Sequence, residues 1–269
     1  MRTIEAVPYR VEAYNTALAS ENKIHHHDVA RRYGFSGGLV PGVEVYAYMT
    51  HLPVQRWGRA WLERGTAECR LLKPVYDGET VLVRATENGG GLAVEAASRG
   101  EVCATGQMSL RDTLPDPPRL DDFEDVAPAA VRAPADAHSL ASGTRLGIAP
   151  FGLTSDYAEQ YLRDVRETEP LYARDALAHP GIILRLGNCV LRQNVVLGPW
   201  IHVGSTVQHF SAARVGDELT ARARVTANYE RKGHLFVELD MLAIANARTP
   251  VARITHLAIY RPRQVAEAS

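Results

Sequence analysis

One arrangement of residues occurs twice in this 269-residue chain, and that repetition limits the folds open to it. Pro41-Gly42 opens the run Val43-Glu44-Val45-Tyr46-Ala47-Tyr48-Met49, whose apolar residues recur at helical spacing. Pro180-Gly181 opens Ile182-Ile183-Leu184-Arg185-Leu186-Gly187-Asn188-Cys189-Val190-Leu191 in the same way. Both runs are too apolar for a solvated surface helix and suit a helix lying inside a wrapped sheet. Behind the first run, residues 66–75 read as a strand closed by the turn Tyr76-Asp77-Gly78. Residues 80–86 alternate apolar and polar, Asn88-Gly89-Gly90-Gly91 is a hairpin turn, residues 92–99 answer it, and residues 101–110 complete a meander. The second half repeats these parts: Val215-Gly216-Asp217-Glu218-Leu219 echoes Asp77-Gly78-Glu79-Thr80-Val81, Lys232-Gly233-His234 stands where the glycine-rich turn stood, and residues 251–260 supply a last strand. The pattern predicts an α+β protein with two antiparallel sheets, each wrapped around a long central helix.

Between the copies the composition changes. The stretch 114–145 is rich in Pro, Asp and Ala without apolar periodicity, which predicts a linker laid across a surface. The expected organisation is therefore 1–113, a linker over 114–145, and 146–269. Residues 8–18 alternate weakly through Tyr9, Val11 and Ala13, which predicts an opening strand.

Composition excludes several classes of function. A formal net charge of −1 argues against a polyanion partner such as nucleic acid. Cys69, Cys103 and Cys189 are too scattered for a disulfide frame or a zinc site, so a reducing cytoplasm is the expected home. The opening Met-Arg-Thr-Ile-Glu-Ala-Val-Pro has no apolar stretch of signal-peptide length, and no run of about 18 apolar residues occurs, so neither export nor a membrane span is expected.

The segment most suited to chemistry precedes the first central helix. Asn22 and His25 sit in a polar knot that leads through a glycine-rich turn into Pro41-Gly42. A helix start carries unpaired N–H groups and a partial positive charge, so the Gly42 amide can hold a developing oxyanion. His25 can act as a base near neutral pH. Asn22-Lys23-Ile24-His25, followed by Ala30, Gly34-Phe35 and Pro41-Gly42, resembles the MaoC-like (R)-specific enoyl-CoA hydratases, whose pattern runs Asp-x-Asn-Pro-Leu/Ile-His, then Ala, Gly-Phe, and His-Gly before the central helix. The likeness covers about the first hundred residues. It departs in two places: Ser20 stands where that family has its catalytic Asp, and Pro41 where it has His.

The resemblance implies a tandem (double) hot dog that hydrates a 2-enoyl-CoA or dehydrates a 3-hydroxyacyl-CoA. His25 would be the principal acid/base, Asn22 its orienting partner and the Gly42 amide the oxyanion donor. No cofactor is implied beyond the coenzyme A of the substrate, the thioester carrier being either coenzyme A or an acyl carrier protein; the second hot dog takes the place of a homodimer partner, and further dimerisation stays open. Ser20 cannot act as a base at neutral pH unless activated, so Glu21 and Asp28 are the nearby carboxylate candidates, although Glu21 would point to the other side of an extended segment and Asp28 can be a helix cap. Arg56 and Arg59, with Arg64, are candidates for the coenzyme A phosphates. In the second copy Glu167-Thr168-Glu169-Pro170-Leu171-Tyr172 has the shape of the motif but puts Tyr172 at the His position, so the first half is the expected site.

Other readings compete. A catalytically silent acyl-thioester binding protein follows if the missing Asp has abolished turnover, and a hot-dog thioesterase is a third option. Three consecutive imidazoles, His25-His26-His27, point to different sides and make a poor metal site. Gly89-Gly90-Gly91 precedes no helix and is a turn, not a phosphate cradle. Tyr14, Tyr33, Tyr46 and Tyr48 fit a core or tunnel wall better than catalytic acids.

Overall fold

The computed structural model describes residues 7–264, so the first six residues of the opening stretch lie outside the described residues. In the first half, β1 (Tyr9–Glu12) is followed by a short helix α1 (His27–Arg31), the central helix α2 (Gly42–Trp57) and α3 (Arg59–Arg64). The meander β2 (Gly65–Leu71), β3 (Thr80–Asn88), β4 (Gly91–Ser98) and β5 (Glu101–Leu110) follows. The middle carries β6 (Ala133–Pro134), β7 (Arg145–Gly147) and β8 (Phe151–Gly152). The second half adds α4 (Ser155–Asp164), α5 (Leu171–Asp175), the second central helix α6 (Pro180–Asn194), β9 (Val195–Val196), β10 (Ile201–His209), β11 (Glu218–Arg231), β12 (His234–Ala245) and β13 (Thr249–Arg261).

All the long strands belong to one antiparallel sheet ordered β1-β3-β4-β5-β2-β10-β13-β12-β11-β7, with β8 on β11. Its two ends mirror each other. In each half the first long strand after the central helix lies innermost, and these two strands, β2 and β10, pair from Gly204 opposite Arg70 to Gln208 opposite Thr66. The halves therefore share a sheet as well as a core. Helix α2 packs on β3, β4, β5 and β10, α6 on β11, β12 and β13, and the two helices touch each other.

The apolar periodicity explains why α2 forms, but burial is more complete than one stripe requires. Every residue from Val43 to Val54 is buried, including Glu44, Thr50, His51 and Pro53. Polar groups in such a place need partners: Thr50 bonds to the Ala47 carbonyl within the helix, whereas Glu44 and His51 find theirs largely in the other half, at Arg185, Tyr161 and Glu167. The weak alternation near the start forms a strand only over Tyr9–Glu12. Irregular residues 111–132 run over the second half, where Phe123 buries against Leu242 and Ile244 and both Leu120 and Phe123 accept hydrogen bonds from Arg222. Among the described residues no helix is long and apolar enough to cross a membrane.

Candidate functional site

Residues 20–41 fold as a flap held by its own small core. Ile24, Ala30 and Leu39 bury together with Tyr33, Phe35, Tyr76 and Ile201 packed around them. Asn22 starts the single turn Lys23–His25 by accepting from the Ile24 amide at 3.3 Å. The Val40 amide bonds to the Val75 carbonyl, and a Cβ on Gly38 would overlap the His25 carbonyl, so this approach requires glycine. The buried Asn15 donates to the same carbonyl at 3.0 Å. His25 is thus positioned from several sides before its ring makes any contact.

The ring is fixed as well. Nδ1 lies 2.6 Å from the Leu39 carbonyl, which can only accept, so Nδ1 carries the proton and Nε2 presents a lone pair. Asn22 Nδ2 faces Nε2 at 3.2 Å and also donates to the Trp200 carbonyl at 2.9 Å. Asn22 Oδ1 accepts from the Trp200 amide at 3.1 Å, and these backbone partners assign the orientation of the amide. A clasp between residues 178 apart therefore joins the motif of the first half to the backbone of the second. Burial lowers the pKa of His25, the Leu39 hydrogen bond opposes that shift, and nearby His26 adds to it. The imidazole is neutral at pH 7.

Two cavities meet at this point. One of about 270 Å³ is walled by apolar residues such as Leu39, Val45, Leu71 and Val75 and includes Gly42. The other, of about 380 Å³, lies between α2 and α6 and includes Ser20, Glu44, Tyr157 and Arg185. Asn22, His25, Pro41, Asn188 and Trp200 line both. Gly42 opens α2, where the first amides have no intrahelical acceptor. A Cβ there would collide with the Leu71 side chain and come within 3.0 Å of His202 Nδ1, so glycine lets the sheet close against the helix start.

The wall of the larger cavity holds a buried ion pair. Glu44, 1 % exposed, accepts from Arg185 Nε at 2.8 Å and Nη2 at 2.6 Å, from Tyr161 at 2.8 Å and from Thr16 at 3.1 Å. Arg185 also donates to Tyr157 at 3.1 Å. Glu44 is on α2 and Arg185 on α6, so the pair ties the central helices together. With both oxygens occupied, Glu44 cannot replace the carboxylate absent at position 20.

The other sequence candidates are dispersed. Ser20 lines the larger cavity, and its hydroxyl reaches only the Asn22 carbonyl, at 3.4 Å. Contrary to the expectation of a nearby carboxylate, Glu21 is exposed and pairs with Arg132 at 2.9 Å, outside both cavities. Asp28 departs from it too, lying exposed inside the first turn of α1, whose preceding residue is His26, so it neither caps that helix nor reaches the site. Arg56 pairs with Glu87 and Arg59 with Glu63 at the far end of α2, about 22 Å from Gly42 at 1.5 Å per residue. The cations on the cavity walls are instead Lys73 in the smaller and Arg185 and Arg192 in the larger. Tyr46 is fully buried in the core, and Tyr48 accepts from the Tyr14 amide.

Sequence reasoning missed Asn15, Asn188, Trp200 and His202. All but Asn15 come from the second half, and no local spacing links them to His25. The second copy of the motif has its own outcome. Glu167, 3 % exposed at its side chain, lies 2.7 Å from His51 Nδ1 and 3.4 Å from His179 Nε2. His179 Nδ1 accepts from the Gly181 amide and so caps α6. Burial raises the Glu167 pKa, but the hydrogen bonds of the two histidines outweigh it and hold the carboxyl well below its usual range. An imidazole is thus present beside the degenerate motif, supplied by His179, yet none of these three residues lines the cavities at His25.

The fold defined by these elements is the double hot dog: two helices, each cradled by half of one continuous antiparallel sheet, in a tandem pseudo-dimer. Solved structures share it over nearly the whole chain. A protein of Chloroflexus aurantiacus assigned as a MaoC domain dehydratase superposes with a TM-score of 0.66 at 13% identity, covering 97% of this chain and 95% of that one. A conserved hypothetical protein of Mycobacterium tuberculosis with a double hot-dog fold gives 0.63 at 14% identity, covering 94% and 96%. A MaoC-like dehydratase gives 0.57 at 10% identity, covering 94% and 97%. No family model matches the sequence, and no curated protein matches it.

Proposed function

We propose that this chain is an acyl-thioester hydro-lyase of MaoC-like type, acting on a 2-enoyl or 3-hydroxyacyl thioester with His25 as its single acid/base. One observation supports the reading most: a neutral imidazole, its proton held on Nδ1 by Leu39 and its Nε2 faced by the Asn22 amide, lines the same cavity as Gly42, whose amide opens the helix. The motif residues Asn22 and His25 and the double hot dog shared with dehydratase structures support it. A cavity of about 270 Å³ lies just below the usual ~300–1,000 Å³ range of small-molecule sites, which suits a short acyl chain.

In the forward direction the water oxygen bonds to C3 and a water proton passes to His25 Nε2. The C2=C3 π pair moves toward the thioester, whose oxygen takes enolate charge and is held by the Gly42 amide. His25 then returns the proton to C2, so one base serves both ends of the addition and no net proton is gained or lost. Coenzyme A is the expected carrier, with Lys73 and Arg192 as the cavity-wall cations other than the Glu44-bound Arg185.

A second reading, a silent acyl-thioester binding protein, is favoured by the Asn22 amide donor that already faces Nε2 and by Ser20 in place of the family's carboxylate. Hydration of crotonyl-CoA by wild type and His25→Ala separates the two. Turnover that falls at least about a hundred-fold in the variant supports the lyase. Tight binding without turnover, unchanged by the substitution, supports the binding protein, and release of free thiol reassigns the chain as a thioesterase.

A further inference from the structure

The two cavities share five wall residues, and only one of the five leaves a buried side-chain polar atom without a hydrogen-bond partner. Asn22 is engaged at both ends of its amide, Pro41 and the Trp200 ring offer no acceptor, and His25 is bonded through Nδ1 to Leu39 and faced at Nε2 by Asn22. Asn188, contributed by α6 of the second half, lines both cavities, and its Oδ1 is buried with no hydrogen-bond partner. A stranded buried acceptor costs about 1–3 kcal/mol, so a side chain of this kind in a cavity wall calls for a donor from a bound molecule. It lies one helical turn from Arg185 in one direction and Arg192 in the other, all three on the cavity-facing side of α6.

The chemistry proposed above requires such an acceptor. An attacking water has two O–H bonds, and its lone pair points at C3 only when both protons are held. His25 Nε2 takes one when the Asn22 amide hydrogen that faces it gives way. The carboxylate that would take the other is absent, since position 20 is a serine whose hydroxyl reaches only a backbone carbonyl. We propose that Asn188 is a catalytic residue of the second half, its side-chain oxygen accepting from the attacking water or, in reverse, from the 3-hydroxyl of the acyl thioester. The substrate class is thereby narrowed to acyl thioesters with a hydroxyl, or a double bond awaiting one, at C3. This inference rests on the hydro-lyase reading, and its test keeps the two apart.

The full-length protein is compared with Asn188→Leu, which removes the acceptor at similar volume, and with Asn188→Asp, which retains it. Asn188→Ala replaces the Leu variant if that one does not fold. Two readouts are used: hydration of crotonyl-CoA, and equilibrium binding of 3-hydroxybutyryl-CoA against butyryl-CoA, which differ only in the hydroxyl. Wild type should prefer the hydroxylated ligand about ten-fold, the equivalent of one good hydrogen bond. Asn188→Leu should abolish that preference and lower kcat about ten-fold or more with little change in KM, as expected for a contact that matters most in the transition state. Asn188→Asp should keep the preference. A protein that turns over no enoyl thioester but keeps an Asn188-dependent preference overturns the hydro-lyase and leaves this contact standing. A wild type without preference, or a Leu variant with unaltered preference and kcat, overturns the contact and leaves the activity standing. Failure of the wild type to bind either thioester overturns both.

Discussion

Removing Arg185 should be among the most damaging single changes to this fold. Glu44 is 1 % exposed and the Arg185 side chain 22 %, and the guanidinium makes two short contacts to one carboxylate oxygen, at 2.6 and 2.8 Å. Arg185→Leu strands the carboxylate between α2 and α6, with only the Tyr161 and Thr16 hydroxyls left as donors. Breaking a buried pair from one side costs about 3–5 kcal/mol, because the remaining charge is uncompensated. For a chain of this size that corresponds to roughly 6–20 °C in Tm. Adding Glu44→Gln removes the stranded charge and keeps a polar group for Tyr161 and Thr16, so the double variant should recover about half of the loss or more. Urea unfolding followed by circular dichroism measures all four proteins of the cycle. A single variant within about 1 kcal/mol of wild type, or a double variant less stable than the single, refutes the reasoning.

Four further outcomes are expected. Burial lowers the His25 pKa, so hydration activity should be flat near pH 7 and fall only on the acid side of pH 6.5; a pH–rate profile with its acid limb above 7 contradicts this assignment. Burial also brings His202 and His209 from 6.5 to about 4, on the order of 3 kcal/mol each. Below pH 6.5 the unfolded chain takes up protons that the folded one refuses, so stability should drop steadily from pH 6.5 to 4, and His209→Leu should flatten that slope, as read by urea midpoints across the range. Glu21→Ala and Asp28→Asn should leave kcat/KM within about two-fold, since both are exposed and outside the cavities. Ser20→Asp puts a carboxylate back at the family's position on the cavity wall and should raise hydration about ten-fold or more; no gain in a folded variant argues against a vacant base position there.

The elements legible in advance were those written in local periodicity. Val43, Val45, Tyr46, Met49 and Leu52 identify the first central helix, Pro180-Gly181 announces the second, and the residues around Gly78 and Gly216 mark equivalent turns. Glycines near residue 90 give a hairpin whose two strands have registers set by alternation. Helix α4 is absent from the sequence reading although Thr154 caps it and Tyr157, Ala158, Tyr161 and Leu162 recur at helical spacing; it is short, and only Ala158 and Tyr161 are buried. The place of the carboxylates is not legible in the sequence, because an exposed loop residue answers to distant partners: Glu21 turns to Arg132, 111 residues away, and nothing near position 21 signals it.

By itself the sequence determined the tandem of two helices with their strands, the glycine that opens the first central helix at residue 42 and the Asn22–His25 spacing, because backbone periodicity and short-range hydrogen bonding act between neighbours along the chain. Only the tertiary structure decided that Trp200 pins Asn22, that Arg185 neutralises Glu44 and that Asn188 joins the wall beside His25. Those partners lie 178, 141 and 163 residues apart, and they meet because the β2–β10 pairing folds one half onto the other. Contacts of that range are selected by packing and desolvation across the assembled core, which carry no signature in the spacing of residues.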